Sequence, residues 1–486
     1  MPTLSGDPTP QVAVPRWIIL VAAIAAQVVF ARLMIGAPQL GVIQLAAVLG
    51  LVLWAALKRA TTVSICLIAY IPAMEICLRQ NNAPVPYLWS PYLLIVIAVL
   101  ATLTVFNNLT KPGRTALMYL VLLIPSAIVT ISTTGNQARE PIAFALAGPA
   151  SLAALVMLLS QVRLELWLFR RVLWVFLISG MAPIAVAITS ISEYVAVAGS
   201  IDFSGESNFA TSGGFGPVQV SSVMGLSVVV AVLAVMVERQ TFARILAGSL
   251  GILAIVMSFL TFSRGGMTAA ALSIGALVIV SPGTRVARRQ LIAIVGTVLL
   301  IGYFFLIPWL NNFTQGAFEE RFSDTETSRT ELAQNDVEIF QDHMAFGVGP
   351  GMTKYQRLTW EICQVRTDRC RNEGSSHTEF TRMLSEHGIS GIVATVFLAM
   401  LPIQAFRRAG RSRSVAVAFV VWAIAQMFYA NFRVSAVAVA FAFAFIQVDL
   451  RRPGRNREDP PAQTAVPAAA DATAGAATDQ ADPSLR

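Results

Sequence analysis

Apolar runs and short polar breaks alternate along almost the whole chain. A helix needs about 17–25 predominantly apolar residues to cross a bilayer. Fourteen such runs lie near 15–34, 38–57, 62–78, 90–108, 115–134, 141–160, 172–191, 217–237, 243–262, 266–281, 290–307, 388–405, 414–429 and 433–449. The fold class expected is all-α: a polytopic integral membrane protein with about 14 transmembrane helices. The first run is too long and too poorly flanked for a cleaved signal peptide, so it reads as a signal anchor. Residues 1–14 are Pro-rich and polar, and 452–486 are rich in Ala, Pro, Asp and Thr. Both read as disordered tails.

Composition excludes the soluble alternatives. Of 486 residues, 56% are hydrophobic and 13% charged, against roughly 25% charged in an ordinary soluble domain. A soluble fold of this size could not bury so much apolar side chain. The net charge of +8 invites a nucleic-acid partner, but its distribution argues against one. With the N-terminus inside, sixteen Lys and Arg fall in inner loops, among them Lys58, Arg163, Arg239 and Arg408. Only Arg32, Arg79, Arg139, Arg264 and Arg433 fall in short outer ones. The excess is the bias that orients a membrane protein, and it places both termini in the cytoplasm. Arg outnumbers Lys 32 to 3, which fits phosphate chemistry but has a simpler cause in a GC-rich genome.

Two outer breaks are long. Residues 308–387 carry 8 basic and 13 acidic side chains, and a segment of that length is too long for a connector. Residues 192–216 are Gly/Ser-rich with only acidic charges, and read as a lid or as a loop without a role. Cys363 and Cys370 sit in the larger loop, where an oxidising compartment would permit a disulfide or leave two thiols. Cys66 and Cys77 share one helix, 11 residues or roughly 16 Å apart, too far to bridge. They read as buried core residues.

The chain lacks GxxxxGK[ST], HExxH and CxxC, and its three histidines have no metal-ligand spacing. No cofactor is expected. The spans are nearly free of charge apart from Glu75, so polar function is expected at the outer surface.

Three outer features carry candidate chemistry. Ser263-Arg264-Gly265-Gly266 links spans 9 and 10. Arg264 reads as a snorkelling side chain or a ligand contact, and the glycines admit another backbone or a ligand. Ser328-Arg329-Thr330-Glu331 is a capping-box pattern followed by Leu332, Ala333, Val337 and Phe340 at helical spacing. Arg329 then occupies the first turn, the wrong end of the dipole for a cation unless an anion sits there too. Nearby Asp324, Glu326 and Glu331 supply the alternative of simple charge compensation. Ser376-His377-Thr378-Glu379 repeats the pattern, with His377 expected in a first helical turn. The dipole there favours the neutral imidazole that a general base requires. Between them lies the Gly-rich turn Gly347-Val348-Gly349-Pro350-Gly351. Glu75 and Arg79 read as an i,i+4 ion pair or as cavity-lining residues.

Together these residues resemble the O-antigen ligase/polymerase family, membrane glycosyltransferases acting on undecaprenyl-diphosphate-linked glycans. Thr261-Phe262-Ser263-Arg264-Gly265-Gly266 resembles the family's SRG at a span end. Ser328-Arg329, Phe340-Gln341-Asp342-His343 and Gly347–Gly351 resemble its outer-loop motif. His377 with Glu386-His387-Gly388-Ile389-Ser390-Gly391 resembles its HN…E.G..G. The likeness covers about 243–405. Thr378 stands where the family usually has an amide, and Met344-Ala345 replaces a usual Pro.

The resemblance implies metal-independent, inverting glycosyl transfer at the outer leaflet of the bacterial inner membrane, with the large loop periplasmic. Arg264 and Arg329 would hold the diphosphate and His377 would activate the acceptor. Gly349, Gly351, Arg79 and Glu75 are further substrate-binding candidates. Expected partners are the lipid-linked glycan donor, a glycan or lipid A-core acceptor, the bilayer, and a polysaccharide-export or chain-length protein. No nucleic acid is expected. The organisation expected is tail 1–14, N-terminal spans 15–242, ligase-like region 243–405, C-terminal spans 406–451 and tail 452–486. The competing readings are a transporter or flippase of lipid-linked glycans, and a non-catalytic assembly subunit.

Overall fold

In the computed structural model the apolar runs become helices. The structure describes residues 15–105, 108–198, 207–280, 289, 292–293, 295–297, 300–323, 328–358, 376, 378–429, 432 and 434–449. Both expected terminal tails lie outside these residues, as do Cys363, Cys370 and His377.

The first half comprises α1 (Arg16–Gly36), α2 (Leu40–Leu57), α3 (Thr61–Gln80), α4 (Trp89–Val105), α5 (Lys111–Leu123), α6 (Ala127–Thr134), α7 (Arg139–Leu159) and α8 (Leu166–Ala198). Next come α9 (Pro217–Val237), α10 (Thr241–Leu260) and α11 (Arg264–Val280). The described parts of the long outer segment hold α12 (Ile307–Phe313), α13 (Ala317–Ser323), α14 (Ser328–Asp342) and α15 (Thr353–Leu358). The chain returns through α16 (Glu379–Arg408), α17 (Arg413–Gln426) and α18 (Ser435–Phe443). Helices dominate because a bilayer offers no partner for a backbone amide left unpaired.

Among the described residues nine helical stretches are long and apolar enough to cross a membrane. The expected fourteen runs therefore do not all meet that test. Residues Lys111–Leu159 form one such stretch, holding the two runs expected at 115–134 and 141–160. The first of these is not one continuous span. Pro125 interrupts it between α5 and α6, and Ser126 Oγ donates to the Leu123 carbonyl at 2.9 Å. Both α4 and α11 are apolar but shorter, and α17 and α18 have 14 and 9 residues. The helix α16 begins at Glu379, inside the expected outer loop, and breaks at Gly388, where the next apolar run was expected to start.

Hydrogen bonds gather the helix ends into two sets. At one end Arg408 Nη2 donates to the Ser160 carbonyl at 2.6 Å and Ser412 Oγ to the Val448 carbonyl at 3.0 Å. There β1 (Arg163–Glu165) pairs in parallel with β2 (Gln447–Asp449), Leu164 opposite Val448. At the other end Gln80 Nε2 donates to the Ser212 carbonyl at 2.9 Å. There too the Asn208 amide reaches the Thr261 carbonyl at 3.1 Å, and the Glu379 amide the Met427 carbonyl at 2.8 Å. The second end carries the candidate residues.

Candidate functional site

Arg264 opens α11 after a three-residue link in which Phe262 takes φ +57°. The link is held locally: Thr261 Oγ1 donates to the Ser258 carbonyl at 2.7 Å and accepts from the Ser263 amide at 3.2 Å. Between the two alternatives for the paired glycines, the structure places another backbone against them. A Cβ on Gly266 would run into the Ser221 carbonyl of α9, and one on Gly225 into the Gly266 carbonyl. A Cβ on Gly265 would lie 2.7 Å from Tyr429 Cβ. Hydroxyls and one amide fill this crossing. Ser221 Oγ donates to the Ser263 carbonyl at 3.1 Å, Ser222 Oγ to Gln426 Oε1 at 2.8 Å, and Gln426 Nε2 to the Gly265 carbonyl at 3.2 Å. The half-buried Arg264 is thus mounted on a closely packed joint of α9, α11 and α17.

The turn after α17 connects this joint to α16. Met427 accepts from the Glu379 amide, Phe428 meets Phe380 with ring centroids 4.9 Å apart, and Tyr429 touches Gly265. The starts of α11 and α16 therefore share one three-residue turn. The cap of α16 differs from the expected Ser376-to-Glu379 box. Thr378 is the N-cap, its Oγ1 accepting from the Thr381 amide at 3.2 Å. The reason is local competition: Ser376 is engaged elsewhere, and Thr378 has its own hydroxyl in capping position.

What engages Ser376 is Asp336 of α14. This carboxylate accepts from Arg357 Nη2, from Ser376 Oγ at 3.2 Å and from Thr381 Oγ1 at 2.7 Å. Arg357 Nη2 also donates to Ser376 Oγ at 2.8 Å. One buried acid therefore ties α14, α15, Ser376 and α16 together. As expected, α14 begins at Ser328, with Arg329 in its first turn. The inward face is not the one expected: Val337 is exposed, while Asp336 and Ile339 are buried. Ile339 packs with Val348 and Met352 in a small core of its own.

The glycine-rich turn is docked onto a broken helix. Gly388 takes φ +61° and ψ −139°, which splits α16. The carbonyls released by the break accept from the loop: Ser385 from the Val348 amide at 2.9 Å and Glu386 from the Gly349 amide at 3.0 Å. In return the Ile389 amide donates to the Met344 carbonyl at 2.8 Å. Gly349 (φ +92°) and Gly351 (φ +76°) face protein: Cβ atoms there would press on Thr130 and Pro141. Thr130 Oγ1 also donates to the Pro350 carbonyl at 3.1 Å. The break at Pro125 and the break at Gly388 thus face one another, and Ser126 Oγ lies 2.5 Å from His387 Nδ1. On the first half of α16, Arg382 donates to Glu379 at 2.5 Å and to Glu386 at 2.8 Å, all three largely buried.

Glu75 and Arg79 form the i,i+4 ion pair at 2.6 Å. Glu75 also accepts from the Ser435 amide at 2.8 Å and from Ser435 Oγ at 2.5 Å. It is a carboxylate set at the start of α18, where a helix favours negative charge. Arg79 stacks 4.1 Å from the Tyr87 ring centroid. The pair lines a narrow cleft with Tyr87, Phe144, Phe432 and Ser435. Of the 192–216 segment, residues 192–198 complete α8 and 192–197 are exposed, while 207–216 are tied to the bundle: Thr211 Oγ1 donates to the Leu260 carbonyl at 2.5 Å. Cys77 is fully buried as expected, whereas Cys66 is only partly buried.

Asp336, Arg357, Thr381 and Arg382 were not among the residues singled out from the sequence. Asp336 had a readable signal. It lies between Leu332–Ala333 and Ile339–Phe340 at helical spacing, so it is an acid inside an apolar stripe.

The geometry is that of a multi-pass helical membrane protein with buried polar groups gathered at one bundle end. Residues 249–396 match the family model described as O-antigen ligase. The match begins in α10 and ends in the second half of α16, so it contains Arg264, Arg329, the glycine turn and position 377. No curated protein sequence matches the chain.

Proposed function

We propose that the protein transfers or polymerises a polyprenyl-diphosphate-linked oligosaccharide at the outer leaflet of the bacterial inner membrane. The family match over 249–396 carries this reading. The local structure supports it in one respect that the match does not include. Arg264 begins α11 and Arg329 lies in the first turn of α14, so both candidate arginines stand at helix N-termini. A cation there opposes the helix dipole, and an anion sharing the position reverses the sign of that cost. A lipid diphosphate is such an anion.

In this mechanism the acceptor hydroxyl gives its proton to His377 and attacks the anomeric carbon. The bond from that carbon to the diphosphate oxygen breaks, and its electron pair leaves with the diphosphate. Arg264 and Arg329 hold the growing negative charge. A guanidinium fork is preorganised for phosphate oxygens in a way that an ammonium is not. Attack from the face opposite the leaving group inverts the anomeric centre. The acceptor is another lipid-linked glycan for a polymerase, or a lipid A core for a ligase. The flippase reading has no observation of its own to favour it.

The test is transfer from a lipid-diphosphate-linked glycan in proteoliposomes. Arg329→Lys and His377→Ala should each lower the rate by about 10²–10³ while the protein still inserts. Wild-type rates in both variants would refute the mechanism. Deleting the gene separates the two acceptors: accumulated single repeats mean a lost polymerase, and unligated polymer means a lost ligase.

A further inference from the structure

At the bundle end away from Arg264, three arginines from three helices meet on one turn. Arg16 Nη2 of α1 donates to Glu238 Oε1 at 2.9 Å. Arg170 Nε of α8 donates to the Val237 carbonyl at 2.7 Å, and Arg244 Nε of α10 to the Glu238 carbonyl at 2.7 Å. A fourth, Arg239, is exposed and next in the chain. The whole of α10, 20 residues or about 30 Å, separates this cluster from the start of α11.

Glu238 is the acid within the cluster. It is buried, and its Oε1 also accepts from Trp174 Nε1 at 2.8 Å. Four guanidiniums around one carboxylate leave three positive charges concentrated at the bundle edge. Capping the C-terminus of α9 accounts for part of this, because the two Nε–H donors satisfy its last carbonyls. It does not account for the rest. Among the described residues the Nη groups of Arg170 and Arg244 have no protein acceptor.

The surroundings mark the cluster as interfacial. Trp17 of α1 and Phe242 of α10 lie with ring centroids 5.6 Å apart, and each is about half exposed. An exposed Trp ring, apolar but with an N–H donor, sits where hydrocarbon meets headgroup. Guanidiniums at headgroup depth, donating from several helices, match a phosphate group carried on a lipid.

We propose that Arg16, Arg170, Arg239 and Arg244 bind the phosphate headgroup of an anionic phospholipid in the leaflet at this end, the end that charge bias assigns to the cytoplasm. The assignment does not depend on the transfer reaction at the opposite end.

The test uses the full chain, delipidated in mild detergent and titrated with phosphatidylglycerol or phosphatidylcholine, with adducts read by native mass spectrometry. Phosphatidylglycerol should be retained preferentially. Each arginine near an anionic headgroup is worth about fivefold in affinity. Arg170→Gln/Arg239→Gln/Arg244→Gln should therefore lose about a hundredfold, whereas Arg411→Gln, at the same end but outside the cluster, should lose nothing. Arg239→Gln alone, at an exposed position, should lose about fivefold and serves if the triple variant does not fold. Equal retention of the two lipids, or an unchanged affinity in Arg239→Gln, would overturn the proposal. Displacement of phosphatidylglycerol by millimolar inorganic phosphate would make this a free-phosphate site and overturn the lipid assignment.

Discussion

Replacing Asp336 by Ala should release the outer segment while leaving the spans intact. Asp336 has no exposed surface, and its side chain accepts from Arg357, Ser376 and Thr381. The Arg357 side chain is itself only 8% exposed, so it would lose this carboxylate in a place where water cannot take over. Breaking one side of a buried ion pair costs about 3–5 kcal/mol. The hydroxyls add little, because Thr381 Oγ1 retains Thr378 Oγ1 at 2.7 Å. A loss of about 4 kcal/mol raises the local opening equilibrium by about a thousandfold, at 1.4 kcal/mol per tenfold. Hydrogen exchange read by mass spectrometry on peptides covering α14 and α15, in nanodiscs, measures this directly. Peptides from α9 and α17 serve as the unperturbed reference. A double replacement, Asp336→Leu with Arg357→Met, should restore most of the protection, since an apolar pair can substitute for a buried ionic one. Unchanged exchange in Asp336→Ala, or a double variant as labile as the single, would refute the reasoning.

Gly266→Val should abolish recovery of folded protein by size exclusion, because its side chain would meet the Ser221 backbone, which cannot turn away. Gly388→Ala should destabilise by about 1–3 kcal/mol from backbone strain alone, with further loss from crowding against Met344, seen as faster exchange in 344–351. Glu75→Gln should lower the thermal midpoint, because it removes the charge facing the buried Arg79 and weakens the clamp on the start of α18. If the arginines supply the diphosphate clamp, exhaustive chelation should leave transfer unchanged, and an activity restored only by added divalent metal would contradict that.

Much of the architecture was legible because bilayer crossing imposes a strong and local rule. A run of apolar residues reads as a helix wherever it occurs, and charge asymmetry in the breaks reads as direction. The rule fails where a helix is broken inside its run. Pro125 lies inside an unbroken apolar stretch, and hydropathy is blind to it. The kink at Gly388 is similar: the glycine is visible, but its left-handed conformation is set by the loop that closes on it. Cap placement failed for another reason. Ser376 and Thr378 both fit the pattern of a cap, and only the demand of Asp336 on Ser376 separates them.

The order of Arg264, Arg329, the glycine turn and His377 was available from the chain alone, because each is a local motif at a span end or helix start. Hydrophobic length and loop charge likewise marked the chain as a multi-pass membrane protein. Tertiary structure alone decided that Asp336 ties α14 to α16, that the turn Met427–Tyr429 joins the starts of α11 and α16, and that the glycine turn fills a broken helix. Those contacts join residues well separated along the chain. Their existence depends on which backbone groups each break leaves unpaired, and that is set only once the helices have packed.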